Sequence, residues 1–305
     1  MALALRTAPE SGPSRKAGPS RKSRQRRPSA DETGRRPGYL VYAALVGALA
    51  ASLFPLYYSF VLPTRDNSAI GDSLLSLTPG GNLFHNIQRV YDTVDFWLAL
   101  RNSMIISTTV TFCCVLLASL AGFAFAKLPF RGRNLLFVAV VITAMLPTQL
   151  GMIPLYMLMG DLGWIATLQA VIVPALVNAF AVFWMRQACD ESVPYELVEA
   201  ARVDGCSTLG IFWHVALPAI RPQAAVLAMF TFMASWNDFM WPLIVLDPSV
   251  TPTVQTALSS LASGYALDYT LILSGAAIGV LPLLVVFLLL SRQIVAGVMQ
   301  GAVKG

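Results

Sequence analysis

Six stretches of this chain, residues 39–62, 102–126, 134–160, 162–185, 222–246 and 269–291, contain one acidic residue, Asp238, and no basic one. Each is 23 to 27 residues long. At 1.5 Å per residue, a helix of that length crosses a hydrocarbon core of roughly 30 Å. The rest of the composition agrees. Charged residues make up 12% of the chain, about half the roughly 25% of a soluble domain. The expected fold is an all-α membrane protein with six transmembrane helices.

Basic residues set the expected orientation, because Lys and Arg accumulate on the cytoplasmic side of membrane helices. With the N-terminus inside, eighteen of the 21 Lys and Arg residues face the cytoplasm, and only Arg65, Arg89 and Arg101 lie outside. Both termini are then cytoplasmic. The segments become a basic arm at 1–38, a first transmembrane helix at 39–62 and an external loop at 63–101. A five-helix core at 102–292, containing the cytoplasmic loop 187–221, and a cytoplasmic tail at 293–305 complete the chain. The arm is rich in Pro, Ser, Gly, Arg and Lys and has little to bury, so it is expected to be disordered. Its basic run from Arg15 to Arg36 reads as an anchor for the first helix rather than an RNA-binding element. Ala48-Leu49-Ala50 resembles a signal-peptide cleavage site, but the apolar run continues to Leu62, which favours an uncleaved helix.

The loop from Arg186 to Pro222 is the one long helix-forming segment between spans on the cytoplasmic side. Ser192 is placed to cap a helix whose first turn holds Pro194 and Glu196. Gly205 can take a positive φ and end that helix. Ser207 can cap a second helix that runs from Thr208 to a stop at Pro218. Ala200 and Ala201 make a shallow face, Val203, Ile211, Phe212 and Trp213 offer apolar contacts, and Glu199 and Asp204 offer charge to a partner's Arg or Lys. A helix lying on anionic lipid would carry Lys and Arg on its polar face. From Asp190 to Asp204 there are instead five acids and one base, Arg202. Docking to another protein is therefore the expected role.

The spacing Glu199-Ala200-Ala201, three residues, Gly205, nine residues, Val215-x-Leu217-Pro218 resembles the signature loop of bacterial ABC importer permeases. Arg101-Asn102-Ser103, Trp236-Asn237-Asp238-Phe239 with Pro242-Leu243, and the tail Gly297 to Gly305 are similar to the carbohydrate-type branch related to the smaller maltose permease subunit. The resemblance runs from about residue 40 to the C-terminus and implies a permease subunit of the bacterial cell membrane. Its 195–217 hairpin would seat in a cytoplasmic ATPase dimer, with Glu199 pairing to a basic group and Gly205 making the bend. A second, related permease, an external solute-binding protein and a di- or oligosaccharide would complete the system. The chain would bind no cofactor, ATP and magnesium belonging to the ATPase. It contains no Gly-x-x-x-x-Gly-Lys-Ser/Thr phosphate loop.

Acidic groups inside a membrane are functional candidates by default. Asp238, flanked by Asn237 and Trp236, is one here, and Gln149 beside Pro147 marks an expected cavity-facing break in the third span. These four residues form the candidate substrate path or gate, with Asn237-Asp238 equally able to fix a kink before Pro242. Cys113, Cys114, Cys189 and Cys206 lack metal spacing and read as apolar fillers. His85 and His214 have no nucleophile or metal set beside them, so no catalytic or metal site is expected. Two other classes remain in view. An autonomous ion-driven transporter would show internal repeats and several intramembrane charges, and a membrane scaffold would have no use for the polar and aromatic residues in the fifth span.

Overall fold

The computed structural model describes residues 38–67, 77–263 and 267–302, and it is all-helical over them. The basic arm, apart from Gly38, lies outside the described residues. Among the described residues, four helices are long and apolar enough to cross a membrane, and six if two bent pairs each count as one span.

The first helix, α1 (Tyr39–Val61), is apolar throughout. Its serines add no unpaired hydroxyls: Ser52 and Ser59 donate to the Ala48 and Pro55 carbonyls one turn back.

The segment expected as external loop 63–101 holds more structure than a connection. A 3₁₀ turn, Leu62–Thr64, is followed by α2 (Leu83–Thr93). Asn86 of α2 is buried and donates to the Pro63 and Arg65 carbonyls at 2.9 and 2.8 Å. Arg89 pairs with Asp268 at 2.6 Å. Burial alone would raise the Asp268 carboxyl. Hydrogen bonds from Thr270, Arg89 and the Leu271 amide, with the Arg89 charge, outweigh it and hold the group below the usual carboxylate range.

The second span, α3 (Phe96–Lys127), starts six residues before the expected 102. Asp95 accepts from the Leu98 amide at 2.9 Å and caps it there, and Phe96 is fully buried against Val90 and Trp236.

The third span is broken, as the Pro147 region predicts. α4 (Arg133–Ala144) and the stretch Thr148–Asp161, which contains a 3₁₀ turn and α5 (Met152–Asp161), meet at 92°. Pro147 supplies no amide and disfavours the helical region for the residue before it, Leu146.

The fourth span begins later than the expected 162. Gly163 and Ala166 take positive φ values of 68° and 62°, and the Ala166 amide is spent on the Val245 carbonyl. Helix resumes as α6 (Gln169–Ala175), breaks at Leu176–Asn178 and continues as α7 (Ala179–Ser192), where the Asn178 side chain caps the new start.

Three further elements follow the hairpin described below. They are α11 (Arg221–Trp236), α12 (Met240–Val245) after a break at Asn237–Phe239, and α13 (Val254–Leu261). α13 is fixed by a Thr253–Thr256 capping box, by Asn102 donating to the Pro252 carbonyl and by the Val254 amide donating to Ser103. The last span, α14 (Tyr269–Ala302), runs through most of the segment expected as a tail.

α3 is central, packed along α7 and α11, with α14 on α11 and α2. Gly122 makes the α3–α7 crossing possible: a Cβ there would sit 2.6 Å from backbone atoms of Met185 and Arg186. Small residues at such crossings let membrane helices approach backbone to backbone.

Candidate functional site

Two places gather the residues singled out by the sequence. The first is the hairpin. Its first helix, α8 (Tyr195–Val203), does not start from Ser192. Ser192 is instead the last residue of α7, and its hydroxyl accepts from Gln223 at 3.1 Å. Pro194 occupies the cap position without a side-chain bond. At the other end Gly205 has φ +79°. The Gly205 amide bonds to the Arg202 carbonyl and the Cys206 amide to the Ala201 carbonyl. This is the paired termination that a left-handed residue allows, and it spends carbonyls that would otherwise be orphaned.

The second helix starts where the sequence places it, with Ser207 accepting from the Gly210 amide. It comprises α9 (Thr208–Ile211), a π turn (Phe212–Ala216) and α10 (Leu217–Ala219). Pro218 therefore does not stop it. A proline clashes with the carbonyl four residues back, and the widened π turn relieves that contact. The stop comes at Ile220, where the chain bends by 80° into α11.

The hairpin has an inner and an outer face. Val198, Ile211, Phe212 and Ala216 are buried in one core cluster with Phe123 and Met185. Ile211 and Phe212, expected as contacts for a partner, are thus spent internally, each such burial contributing roughly 1.5–3 kcal/mol. Tyr195 donates its hydroxyl to the Ala126 carbonyl at 2.9 Å. Outward lie Glu199, Ala200, Val203, Asp204, Gly205, Leu209, Trp213 and Pro218, with Ala201 and Leu217 half-buried. Val203 is 89% exposed. Among the described residues, Glu199 and Asp204 make no ion pair. The outer face combines carboxylates, an apolar knob and an alanine floor, which suits a basic, grooved protein surface.

The second place is a cavity of about 790 Å³ between α3, α5, α6, α7, α11 and α12. Four of its polar lining residues come from helix breaks: Thr148 and Gln149 from the break in the third span, Asn178 from the fourth and Asp238 from the fifth. Broken helices are tolerated at membrane depth where their freed backbone groups face a cavity. Thr231 and Ser235 of α11 add hydroxyls, and Phe180, Phe230 and Trp241 add aromatic surface. Trp241 is fixed by its indole N–H, which donates to the Ala170 carbonyl at 3.0 Å.

Of the four candidate path residues, Gln149 and Asp238 meet at this wall, while Trp236 and Asn237 do not. Trp236 is 2% exposed, stacks on Phe232 and donates to the Gly279 carbonyl of α14 at 3.1 Å. Asn237 accepts from Gln255 of α13 at 3.3 Å. The sequence reading passed over Asn178, although its place four residues after Pro174 repeats the pattern of an amide near a proline at Gln149. Among the described residues, no three His, Cys, Asp or Glu side chains are grouped to hold a metal.

Residues 115–300 match the family described as binding-protein-dependent transport system inner membrane component. The lactose transport system permease protein of Rhizobium radiobacter is 36% identical over 270 residues, covering 88% of this chain and 97% of that protein. The arabinooligosaccharides transport system permease protein of Halalkalibacterium halodurans is 38% identical over 210 residues, covering 69% and 75%. The solved structure of a bacterial ABC transporter involved in import of the acidic polysaccharide alginate matches with a TM-score of 0.72. It covers 84% of this chain and 96% of that one at 22% identity, a likeness of fold.

Proposed function

The chain belongs to the family of binding-protein-dependent transport system inner membrane components, and on that premise we propose that it is the membrane-spanning permease subunit of an ATP-driven importer for an uncharged di- or oligosaccharide. The observation that carries the substrate class is the lining of the cavity. It holds amide, hydroxyl and aromatic groups suited to a sugar, and Asp238 is the one charged residue in it. An anionic solute would meet no basic side chain from this chain's half of the pathway. The volume lies within the roughly 300–1,000 Å³ of small-molecule sites.

The rest of the system follows from what this chain lacks and what its hairpin offers. With no phosphate loop in its sequence, ATP and magnesium are held by a separate ATPase dimer in the cytoplasm, and the chain is not itself an enzyme. The outer face of the hairpin is its docking surface: Glu199 and Asp204 meet basic groups, Ala200 and Ala201 allow close approach, and Gly205, Leu217 and Pro218 set the shape. Both termini are cytoplasmic, in keeping with the distribution of Lys and Arg. A second, related permease completes the pathway and an external binding protein delivers the sugar. ATP-driven closure of the ATPases displaces the hairpin. Its buried side carries the displacement through Phe212 and Tyr195 into α3 and α7, whose inner segments line the cavity.

The test is uptake in cells with and without this chain, and with Asp238→Asn, using radiolabelled lactose, an arabino-oligosaccharide and a glycerol phosphodiester. Chain-dependent uptake of a saccharide, reduced by the substitution, is expected. Chain-dependent uptake of the phosphodiester would overturn the substrate class. Transport by the purified chain alone in vesicles would replace the importer with an autonomous transporter, and unchanged uptake of every solute on deletion would point to a scaffold.

A further inference from the structure

At the root of the hairpin one buried cation joins α3, α7 and α8, with α4 and α11 held to α7 beside it. Lys127 closes α3 and is 3% exposed. Its Nζ lies 3.8 Å from Asp190 Oδ1 and 3.5 Å from the Asp190 carbonyl in the last turn of α7. The same atom sits 4.4 Å above the ring of Tyr195, the first residue of α8. Asp190 is shared with Arg186 at 3.6 Å, and the Arg186 guanidinium lies 4.2 Å over the Phe137 ring of α4. On the α11 side, Trp184 donates to the Gln223 carbonyl, and Gln223 donates to Ser192 while its own Oε1 is buried without a donor.

The contacts at this junction differ in stiffness. The Tyr195 hydroxyl holds the Ala126 carbonyl at 2.9 Å, an ordinary directional bond. Every contact of the Lys127 ammonium is at 3.5 Å or beyond. Charge–charge and cation–π attractions vary smoothly with distance, so α8 can tilt about the Tyr195 bond while the ammonium follows. Removing a charge partner from a buried site is costly, so the ammonium cannot be left behind. The unfilled Gln223 acceptor is a further group whose pairing changes if the junction shifts.

We propose that Lys127 is the positioning residue that keys the tilt of the hairpin to α3 and α7, so that its charge, rather than its bulk, transmits ATP-driven motion to the cavity. This rests on the importer reading above.

The complex is purified through a tag on this chain and placed in lipid nanodiscs. A Ser235→Cys probe on the cavity wall is labelled with a polar maleimide, with and without ATP and vanadate, and the labelling of the chain lacking the probe is subtracted. ATP hydrolysis and melting temperature are measured on the same samples. Lys127→Met keeps the length of the side chain and removes its charge. It is expected to cut the ATP-dependent change in labelling about ten-fold, within the 5–150-fold span of typical couplings, while hydrolysis and melting stay close to the parent. Lys127→Arg, which keeps the charge, should restore most of the response. A full response in Lys127→Met overturns the proposal. So does a loss that tracks a lower melting temperature or failed assembly, because Lys127 would then be a structural anchor. No ATP-dependent change in the parent complex removes the importer reading itself, and this inference with it.

Discussion

Replacing Gly122 by alanine tests the tightest helix crossing in the fold. The added Cβ would lie 2.6 Å from Arg186 N and from Met185 C, where ordinary contacts begin at 3.4 Å, so α7 must withdraw by about 0.8 Å. Both obstructing atoms are backbone, and no rotamer change relieves them. Overpacking of this kind costs roughly 1–3 kcal/mol. A gap of 0.5–1 Å along the neighbouring side chains also forfeits about a quarter to a half of each dispersion contact. Alanine returns up to about 1 kcal/mol as the better helix former. A net loss of about 1–2 kcal/mol should lower the melting temperature by about 2–8 °C, taking the roughly 2–4 °C per kcal/mol of a 150–250-residue chain. The assay is thermal unfolding of the purified chain followed by fluorescence-detected size exclusion. Gly47→Ala serves as the control, since a Cβ there meets nothing within 4 Å and only the helix-propensity gain should register. The crossing also places Arg186 and, one turn on, Asp190, so uptake should fall with stability. An unchanged or higher melting temperature for Gly122→Ala would refute the reasoning, because the crossing would then have slack that the geometry denies.

Two further outcomes follow from local chemistry. Gly205 holds φ +79°, a region that costs other L-residues roughly 1–2 kcal/mol. Gly205→Val should abolish uptake with membrane content unchanged, and Gly205→Asn, which tolerates that region, should retain more of it; equal uptake in both would show that the bend is not needed. The Asp268 carboxyl is held low in the folded chain. Its contribution is therefore complete above the ordinary carboxylate value of about 3.9 and is lost as pH falls through the lower folded value. The pair is partly exposed, so the effect should stay within about 1 kcal/mol. Asp268→Asn should remove that part of the melting-temperature drop between pH 6 and pH 3, and an identical acid profile in parent and variant would count against the pairing.

The parts of the hairpin that were legible in sequence are the local ones. Ser207 accepts an amide three residues on, and Gly205 needs only its own freedom at φ; both act within one turn, so spacing alone reveals them. Ser192 looked like the same signal, but it is absorbed by α7 and bonded to Gln223, 31 residues away. The inner face was misread for the same reason. Ile211 and Phe212 are as apolar as Val203 and Trp213, and only the packing of Phe212 on Phe123 decides which pair is spent.

The presence of apolar spans was legible because lipid thickness sets how long an uncharged run must be, but their ends were not, and the breaks inside them were legible only where chemistry marks the spot. Pro147 and Gln149, Pro174 and Asn178, and Asp238 and Pro242 each put a polar side chain within four residues of a proline, and each set lies at an interruption whose polar residue lines the same cavity. A proline alone does not do this: Pro55 and Pro282 sit inside unbroken helices with no amide or acid beside them. The difference is physical. Opening a helix in lipid exposes backbone groups that need partners, and a polar side chain at the same point makes the exposed patch a site rather than a defect. Trp236 is the instructive exception. It shares a motif with Asp238, but at two residues' remove on a helical turn it faces α14 rather than the cavity. Adjacency in sequence therefore placed it with the acid, while the helix period placed it with Gly279.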